Sequence, residues 1–180
     1  MKRHVEPALV KPARMAHYVL RVRDLAASAR WYEAVLGMKR VHGNGAIEFM
    51  TYDDEHHRLA LVQTPVTALT PGAPGLDHVA YTLASLEELL ATYKRLKTAG
   101  IEPVWPINHG LTTSLYYADP DGNRVEFQVE NLDTKEELNA YMRSEAFAAN
   151  PIGVEFDPAR LLERYEAGDP LDELRRQGSA

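Results

Sequence analysis

The sequence predicts an α+β fold in which two βαβββ modules curl their strands into an open barrel around a cavity. The main observation is an internal repeat, with one copy beginning at His17 (HYVLRVRDLAASARWYEAVLGMKRV) and the other at His78 (HVAYTLASLEELLATYKRLKTAGIEPV). Each copy runs from an apolar strand through a helix to a glycine, and the offset between equivalent positions stays nearly constant. This organisation gives modules at about 15–63 and 75–130, one paired domain at 1–131, and a helical C-terminal extension at 132–180 that belongs to the same domain.

The first module is predicted to contain one strand, one helix and three further strands. Asp24 is a suitable N-cap residue, apolar side chains recur after it at helical spacing, and Gly37 is typical of the position just past a helix C-terminus. Short segments rich in glycine or acidic residues separate the later strands. The predicted strands are 16–22, 39–42, 46–52 and 57–63.

The second module is predicted to repeat this order. Its helix starts with a capping box formed by Ser85 and Glu88 and stops at Gly100. The turn ADPDGN joins its last two strands. After the strand that begins near His78, the predicted strands are 102–105, 113–117 and 124–130. Two proline-containing segments, 1–14 and 64–75, are predicted to be an arm and a linker.

The extension is predicted to be helical. Thr134 and Glu137 have the spacing of a capping box for a helix that runs through Phe147. Two Asp-Pro pairs each combine an N-cap residue with proline at the first helical position. These pairs are Asp157-Pro158 and Asp169-Pro170. The apolar side of these helices must pack on the barrel, cover a cavity mouth or meet a second subunit, and we expect a homo-oligomer.

Composition excludes several classes of function. The 180 residues carry 20 Lys and Arg against 26 Asp and Glu, a net charge of −6, and no basic run suits a phosphate backbone, so no nucleic-acid partner is expected. No apolar stretch approaches the roughly 18–20 residues that cross a membrane, and the N-terminus lacks the apolar core of a secretory signal. The absence of cysteine excludes disulfides and thiolate ligands. A cytoplasmic protein is the simplest expectation.

Three residues have the composition of a metal site. His17 and His78 occupy equivalent positions in the repeat, and Glu126 lies in an otherwise apolar strand, where an unpaired carboxylate would be costly to bury. Two histidines and one carboxylate are the ligand set of open Fe(II) sites. Aligning RLALVQ with RVEFQV places Ala60 opposite Glu126, so a fourth protein ligand is not expected there. A lone strand histidine is more often a core residue, but the equivalence of the two histidines favours ligands.

These features resemble the vicinal oxygen chelate superfamily, which includes glyoxalases, fosfomycin-resistance transferases, drug-binding proteins and extradiol ring-cleaving dioxygenases. The segment YYADPDGNRVEF resembles the closing hairpin of that superfamily, with Glu126 at the ligand position. Three other segments resemble the extradiol catechol dioxygenases of the one-domain type. They are EHHRLAL, HGLTTSLYYADPDGNRVEF and ANPIGVEFDPARLLERYEAG.

This resemblance implies an Fe(II) enzyme, with Mn(II) compatible with the same ligands, that binds an aromatic diol and O₂. It implies that His57 is the acid/base, that Tyr116 bonds a substrate oxygen, and that His109 orients the same hydroxyl or assists O–O cleavage. Strand alternation allows only one of His56 and His57 to point inward. Candidates for an apolar wall over the substrate ring are Phe49, Tyr52, Trp105 and Ile107, whereas His4 and His42 are expected at the surface.

Two alternatives stay open at this point. A metal-dependent thiol transferase or glyoxalase-like enzyme would use a similar ligand set, but a phosphonate substrate needs a cationic pocket, and only Arg58 and Arg124 lie near the predicted ligands. A non-catalytic drug-binding member of the superfamily would have no use for the metal triad. A structural metal would usually have four protein ligands.

Overall fold

The computed structural model describes residues 9, 11–65 and 74–180, which form two compact units, Met1–Thr67 and Ala68–Ala180. Most of the predicted arm and of the predicted linker, together with His4, lie outside the described residues.

The first unit is a βαβββ module with one four-stranded sheet. The sheet order is β1-β4-β3-β2, in which β1 and β4 are parallel and the other pairs are antiparallel. The parallel pair needs a crossover, which the helix provides. The elements are β1 (Tyr18–Val22), α1 (Leu25–Leu36), β2 (Lys39–Gly43), β3 (Ile47–Thr51) and β4 (Leu59–Gln63).

The second unit repeats this topology in its first part. Its strands are ordered β5-β8-β7-β6, again with the first and last strands of the module parallel. The predicted α+β class and the internal repeat are therefore confirmed, and neither sheet closes on itself. The elements are β5 (His78–Thr82), α2 (Leu86–Thr98), β6 (Trp105–Asn108), β7 (Thr112–Ala118) and β8 (Arg124–Glu130).

Both helices begin as predicted. The Asp24 side chain accepts a hydrogen bond from the backbone N of Ala27 at 2.9 Å, and Gly37 follows α1 in the left-handed conformation, with φ of 63°. Ser85 caps α2, although the Glu88 carboxylate bonds the N–H of Ala84 rather than that of Ser85. Each helix packs an apolar face against its own sheet.

One strand lies further along the chain than predicted. Strand β6 covers Trp105–Asn108, whereas the sequence indicated 102–105. Proline cannot donate to a ladder and is tolerated near a sheet edge. Pro106 lies in β6 opposite Leu115, and its carbonyl accepts from the N–H of Phe156. The shift brings His109 directly after the strand.

The extension contains four helices and one short strand. Strand β9 pairs antiparallel with β6 and so adds a fifth strand to the sheet of the second unit, which the sequence did not predict. The elements are α3 (Lys135–Tyr141), α4 (Glu145–Ala149), β9 (Val154–Glu155), α5 (Pro158–Glu166) and α6 (Leu171–Leu174).

Two predictions for the extension are wrong in detail. The helix capped by Thr134 and Glu137 does not run through Phe147, because Ser144 interrupts it and caps α4 by accepting from the N–H of Phe147. Asp169 does not cap α6, because its carboxylate instead accepts from Nε of Arg164 at 2.6 Å. The capping box at α3 and the Asp157 cap of α5 are confirmed.

Within the described residues, no helix combines the length and apolar character needed to cross a membrane.

The Asp24 cap provides a test of the first module. We expect Asp24→Ala to lower the free energy of unfolding by about 1 kcal/mol, since it leaves the N–H of Ala27 without its acceptor. The matched control is Asp54→Ala at an exposed position, with an expected change within about 0.5 kcal/mol. Urea denaturation measures both values, and equal losses in the two variants would contradict the capping role.

Candidate active site

The second unit brings together two predicted metal ligands, His78 and Glu126. Nε2 of His78 lies 3.2 Å from a carboxylate oxygen of Glu126, whose side chain is only 5% exposed. The contacts that the structure gives this buried carboxylate are with an imidazole and with the Tyr116 phenol, neither of which carries a permanent positive charge. A buried carboxylate in such surroundings favours a cation beside it.

A carboxylate behind His78 fixes the orientation of its ring. Nδ1 of His78 lies 2.7 Å from Asp77, and Arg124 forms an ion pair with the same carboxylate. The bond to His78, followed by that to Arg124, lowers the pKa of Asp77 below its usual value. Because the ionised Asp77 accepts a hydrogen bond from Nδ1–H, Nε2 of His78 is free to bind a metal.

Strand register places the other site residues on the same face of the sheet. Glu126 pairs with Ala80 on β5 and with Tyr116 on β7, and Tyr116 pairs with Trp105 on β6. Side chains directly opposite each other on neighbouring strands share a face. This register therefore aligns the carboxylate of Glu126, the phenol of Tyr116 and the indole of Trp105 across the sheet. His78 lies two residues from Ala80 and so on the same face.

Tyr116 and His109 form a hydrogen-bonded pair. The Tyr116 hydroxyl lies 3.2 Å from Nε2 of His109, and the His78 ring meets the Tyr116 ring edge-on at 5.1 Å. Burial raises the pKa of Tyr116 above its ordinary value, and the nearby Glu126 carboxylate adds to this shift. Tyr116 is therefore a neutral phenol that can donate or accept a hydrogen bond, but that does not act as a phenolate near neutral pH.

The first unit places His57 beside His17. Their ring centroids are 4.2 Å apart, and the Phe49 ring meets His57 edge-on at 5.0 Å. His57 is half-buried and His56 is exposed, but both lie just before β4 rather than in the predicted strand 57–63, so strand alternation does not explain the difference. Burial lowers the pKa of His57, and the neighbouring His17 and His56 lower it further. His57 is therefore a neutral imidazole at neutral pH and can accept a proton.

The register also confirms the alignment of the two modules. Ala60 pairs with Val19 on β1 in the way that Glu126 pairs with Ala80 on β5. At the position equivalent to the carboxylate, the first unit therefore has a methyl group, which binds no metal.

The remaining predicted residues differ in exposure. Trp105 is half-buried and packs 4.9 Å from the Tyr116 ring, and Phe49 packs on His57. Ile107 is 1% exposed within the second unit, whereas Tyr52 is 48% exposed. His42 is exposed, as expected.

Sequence reasoning missed Asp77 and the partner of His109. Asp77 immediately precedes the strand histidine, where the first module has Ala16, and this difference between the repeats was a usable signal. The partner of His109 is the backbone carbonyl of Ile152, which receives a hydrogen bond from Nδ1. Because every residue has a backbone carbonyl, the residue type at position 152 does not indicate this contact.

The spacing of the two predicted ligands in the second unit is compatible with a metal ion. Ligand bonds of about 2.1 Å at right angles place two ligand atoms about 3.0 Å apart, close to the 3.2 Å between His78 and Glu126. Among the residues that the structure describes, no group of three or more His, Asp or Glu side chains is arranged to hold a metal. The third predicted ligand, His17, belongs to the other unit.

Comparisons with known proteins assign the family. The chain is 46% identical to biphenyl-2,3-diol 1,2-dioxygenase 2 of Rhodococcus globerulus, with 89% of this chain and 86% of that protein covered. It is 47% identical to biphenyl-2,3-diol 1,2-dioxygenase 3 of the same organism, with the same coverage.

A solved structure has the same fold. It is the glyoxylase/bleomycin resistance protein/dioxygenase domain from Frankia sp. EAN1pec, with a TM-score of 0.55 and 24% identity over 67% of this chain and 93% of that one. The family model that matches residues 14–127 describes the glyoxalase/bleomycin resistance protein/dioxygenase superfamily. The chain belongs to that superfamily.

Proposed function

We propose that this protein is an extradiol ring-cleaving dioxygenase that uses Fe(II) and O₂ to open an aromatic diol next to its hydroxyls. The observation that carries the proposal is the identity of 46% and 47% to two biphenyl-2,3-diol 1,2-dioxygenases over 89% of the chain. Biphenyl-2,3-diol is accordingly the first substrate to test. The side chains around Glu126 and around His57 supply the metal ligands and proton acceptors that such a reaction needs.

The proposed metal ligands are His17, His78 and Glu126. The spacing of His78 and Glu126 supports two of them, and the equivalent position of His17 in the repeat supports the third. Two neutral imidazoles and one carboxylate leave a divalent ion with one positive charge and open positions. Bound there, Fe(II) would hold the diol and O₂ side by side and pass electrons between them.

His57 is the proposed general base and acid. A diol must lose protons when it binds as an anion, and the lowered pKa of His57 leaves its imidazole neutral and ready to accept one. Phe49 and His17 pack against the ring and restrict its orientation. The same ring can return the proton to an oxygen of the opening product.

Tyr116 is proposed to hydrogen-bond a substrate oxygen, with His109 holding its hydroxyl in place. Trp105 packs on Tyr116, and its indole N–H is directed away to Glu155 at 2.8 Å. The ring face of Trp105 is then available as an apolar wall that excludes water from the substrate ring.

The alternatives receive little support from the described residues. A four-ligand glyoxalase site would need a ligand at Ala60. A phosphonate pocket would need free cationic side chains, but Arg58 is held by Asp53 and Arg124 by Asp77. Both arginines are therefore engaged in ion pairs near the ends of strands and are not free to bind a phosphonate.

Reconstitution tests the proposed function. We expect the protein loaded anaerobically with Fe(II) and then mixed with air and biphenyl-2,3-diol to consume O₂ and form a yellow ring-fission product. His17→Ala, which removes one proposed ligand, should abolish the product. Tight metal binding without O₂ uptake, for this diol and for a panel of other catechols, would contradict the proposal.

The role of His57 is tested by a pair of neighbouring variants. We expect His57→Phe to lower kcat by about a hundredfold or more, because it removes the acid/base while keeping a ring of similar shape. His56→Phe is the matched control, since that side chain is exposed, and should retain most activity. Steady-state O₂ uptake measures both, and a similar loss in the two variants would argue against an acid/base role.

The Asp77 contact gives a test that does not depend on turnover. We expect Asp77→Asn to weaken metal binding by about tenfold, because the neutral amide orients His78 less strongly and lowers its basicity. Metal titration followed by calorimetry measures the affinity, with Asp54→Asn as the exposed control. Unchanged affinity in Asp77→Asn would show that the carboxylate does not support a metal ligand.

A further inference from the structure

The C-terminal extension contacts the second module at β6 and at His109, the residue that follows this strand. Strand β9 pairs Val154 with Asn108 and Glu155 with Ile107. Just before β9, the backbone carbonyl of Ile152 meets Nδ1 of His109. The extension thus reaches the side of the His109 ring that faces away from Tyr116.

This contact determines where the proton of His109 resides. A carbonyl oxygen only accepts hydrogen bonds, so Nδ1 must carry the proton. In the neutral imidazole, Nε2 then has a lone pair and is an acceptor for the Tyr116 hydroxyl, 3.2 Å away, as is the Glu126 carboxylate. When its proton is directed to His109 rather than to Glu126, Tyr116 presents oxygen lone pairs to a substrate hydroxyl.

The close approach of the two segments depends on glycine. Gly153 has a φ of +117°, and a Cβ there would lie 2.3 Å from the carbonyl oxygen of Asn108 and 2.8 Å from Cα of His109. On the other side of His109, a Cβ on Gly110 would lie 1.9 Å from the Tyr141 hydroxyl of α3. The contact at Gly153 is with backbone atoms and excludes any larger residue without movement of the His109 segment, whereas the contact at Gly110 is with the end of the Tyr141 side chain.

The C-terminal end of the extension makes further hydrogen bonds to the segment that contains His109. The Asn108 side chain donates to the carbonyl of Arg175 at 2.9 Å, and the Gln177 side chain donates to the carbonyl of Asn108 at 3.0 Å. The Asn108 amide oxygen also accepts from the N–H of Gly110 at 2.8 Å. Bonds from two separate parts of the extension therefore converge on Asn108, next to His109.

We infer that the C-terminal extension is a positioning element for catalysis, in which the Ile152 carbonyl fixes the Nδ1–H tautomer of His109 and thereby keeps Nε2 available as an acceptor for the Tyr116 hydroxyl. This inference rests on the proposed function for its catalytic consequence, but the tautomer itself is a property of the folded chain. Gly153 is the residue that permits the contact.

The tautomer is measured directly by long-range ¹H–¹⁵N correlation spectra of the full-length protein above neutral pH. His109→Gln identifies the His109 signals among those of the seven histidines. We expect a protonated Nδ1 and an unprotonated Nε2 in the wild type, and loss of this preference in Gly153→Ala. A wild-type proton on Nε2 would overturn the inference, whether or not the protein oxidises a diol.

A double-mutant cycle tests the catalytic consequence. We expect Gly153→Ala to lower kcat of the Fe(II)-loaded enzyme about tenfold in the wild-type background, and by less than about twofold when His109 is already Gln. Gly168→Ala is the matched control, because that glycine also has a positive φ, +86°, but a Cβ there meets nothing within 4 Å. Equal losses in both backgrounds would show a purely structural role. If Gly153→Ala does not fold, the wild-type spectra still decide the tautomer, and Gln177→Ala replaces it in the cycle.

Discussion

The buried carboxylate of Glu126 is the constraint on which the candidate site depends. Its side chain is 5% exposed and contacts His78 and Tyr116, and a buried carboxylate beside groups without a permanent positive charge favours a cation as its partner. Asp77 and Arg124 orient His78 toward it, and the strand register brings Tyr116 and Trp105 alongside. A divalent cation would compensate the charge of this carboxylate, and the surrounding side chains would then act together as ligands and substrate contacts.

The internal repeat explains how such a site arises from one folding unit used twice. Both modules keep the helix, the strand order and an arginine at or just before the start of the last strand. They differ in the acidic residues of the candidate site, because the first module has Ala60 at the position of Glu126 and Ala16 at the position of Asp77. Arg58 accordingly donates to the carbonyls of Met15 and Ala16 as well as to Asp53, whereas Arg124 pairs with the carboxylate beside His78. The first module thus retains one predicted ligand, His17, and the second retains His78 with its acidic partners.

Local patterns predicted most of the fold, because strand alternation, N-caps and glycine C-termini are encoded in neighbouring residues. The predictions at Asp24, Gly37 and Thr134 succeeded for this reason. Strand β9 could not be predicted, since its two residues form a strand only by pairing with β6, and the shift of β6 past Pro106 has the same origin. Likewise, His109 could be singled out as a residue type, but the Ile152 carbonyl that binds it could not. Residue-type patterns identify candidate ligands and leave their supporting contacts to the tertiary structure.

An extradiol dioxygenase inserts both atoms of O₂ into an aromatic diol as the ring opens. Mass spectrometry of the product formed from biphenyl-2,3-diol by the Fe(II)-loaded protein under ¹⁸O₂ measures this insertion. We expect a ring-opened product that contains two ¹⁸O atoms when it is analysed before exchange with water. An unlabelled quinone, formed with reduction of O₂ to peroxide or water, would contradict it.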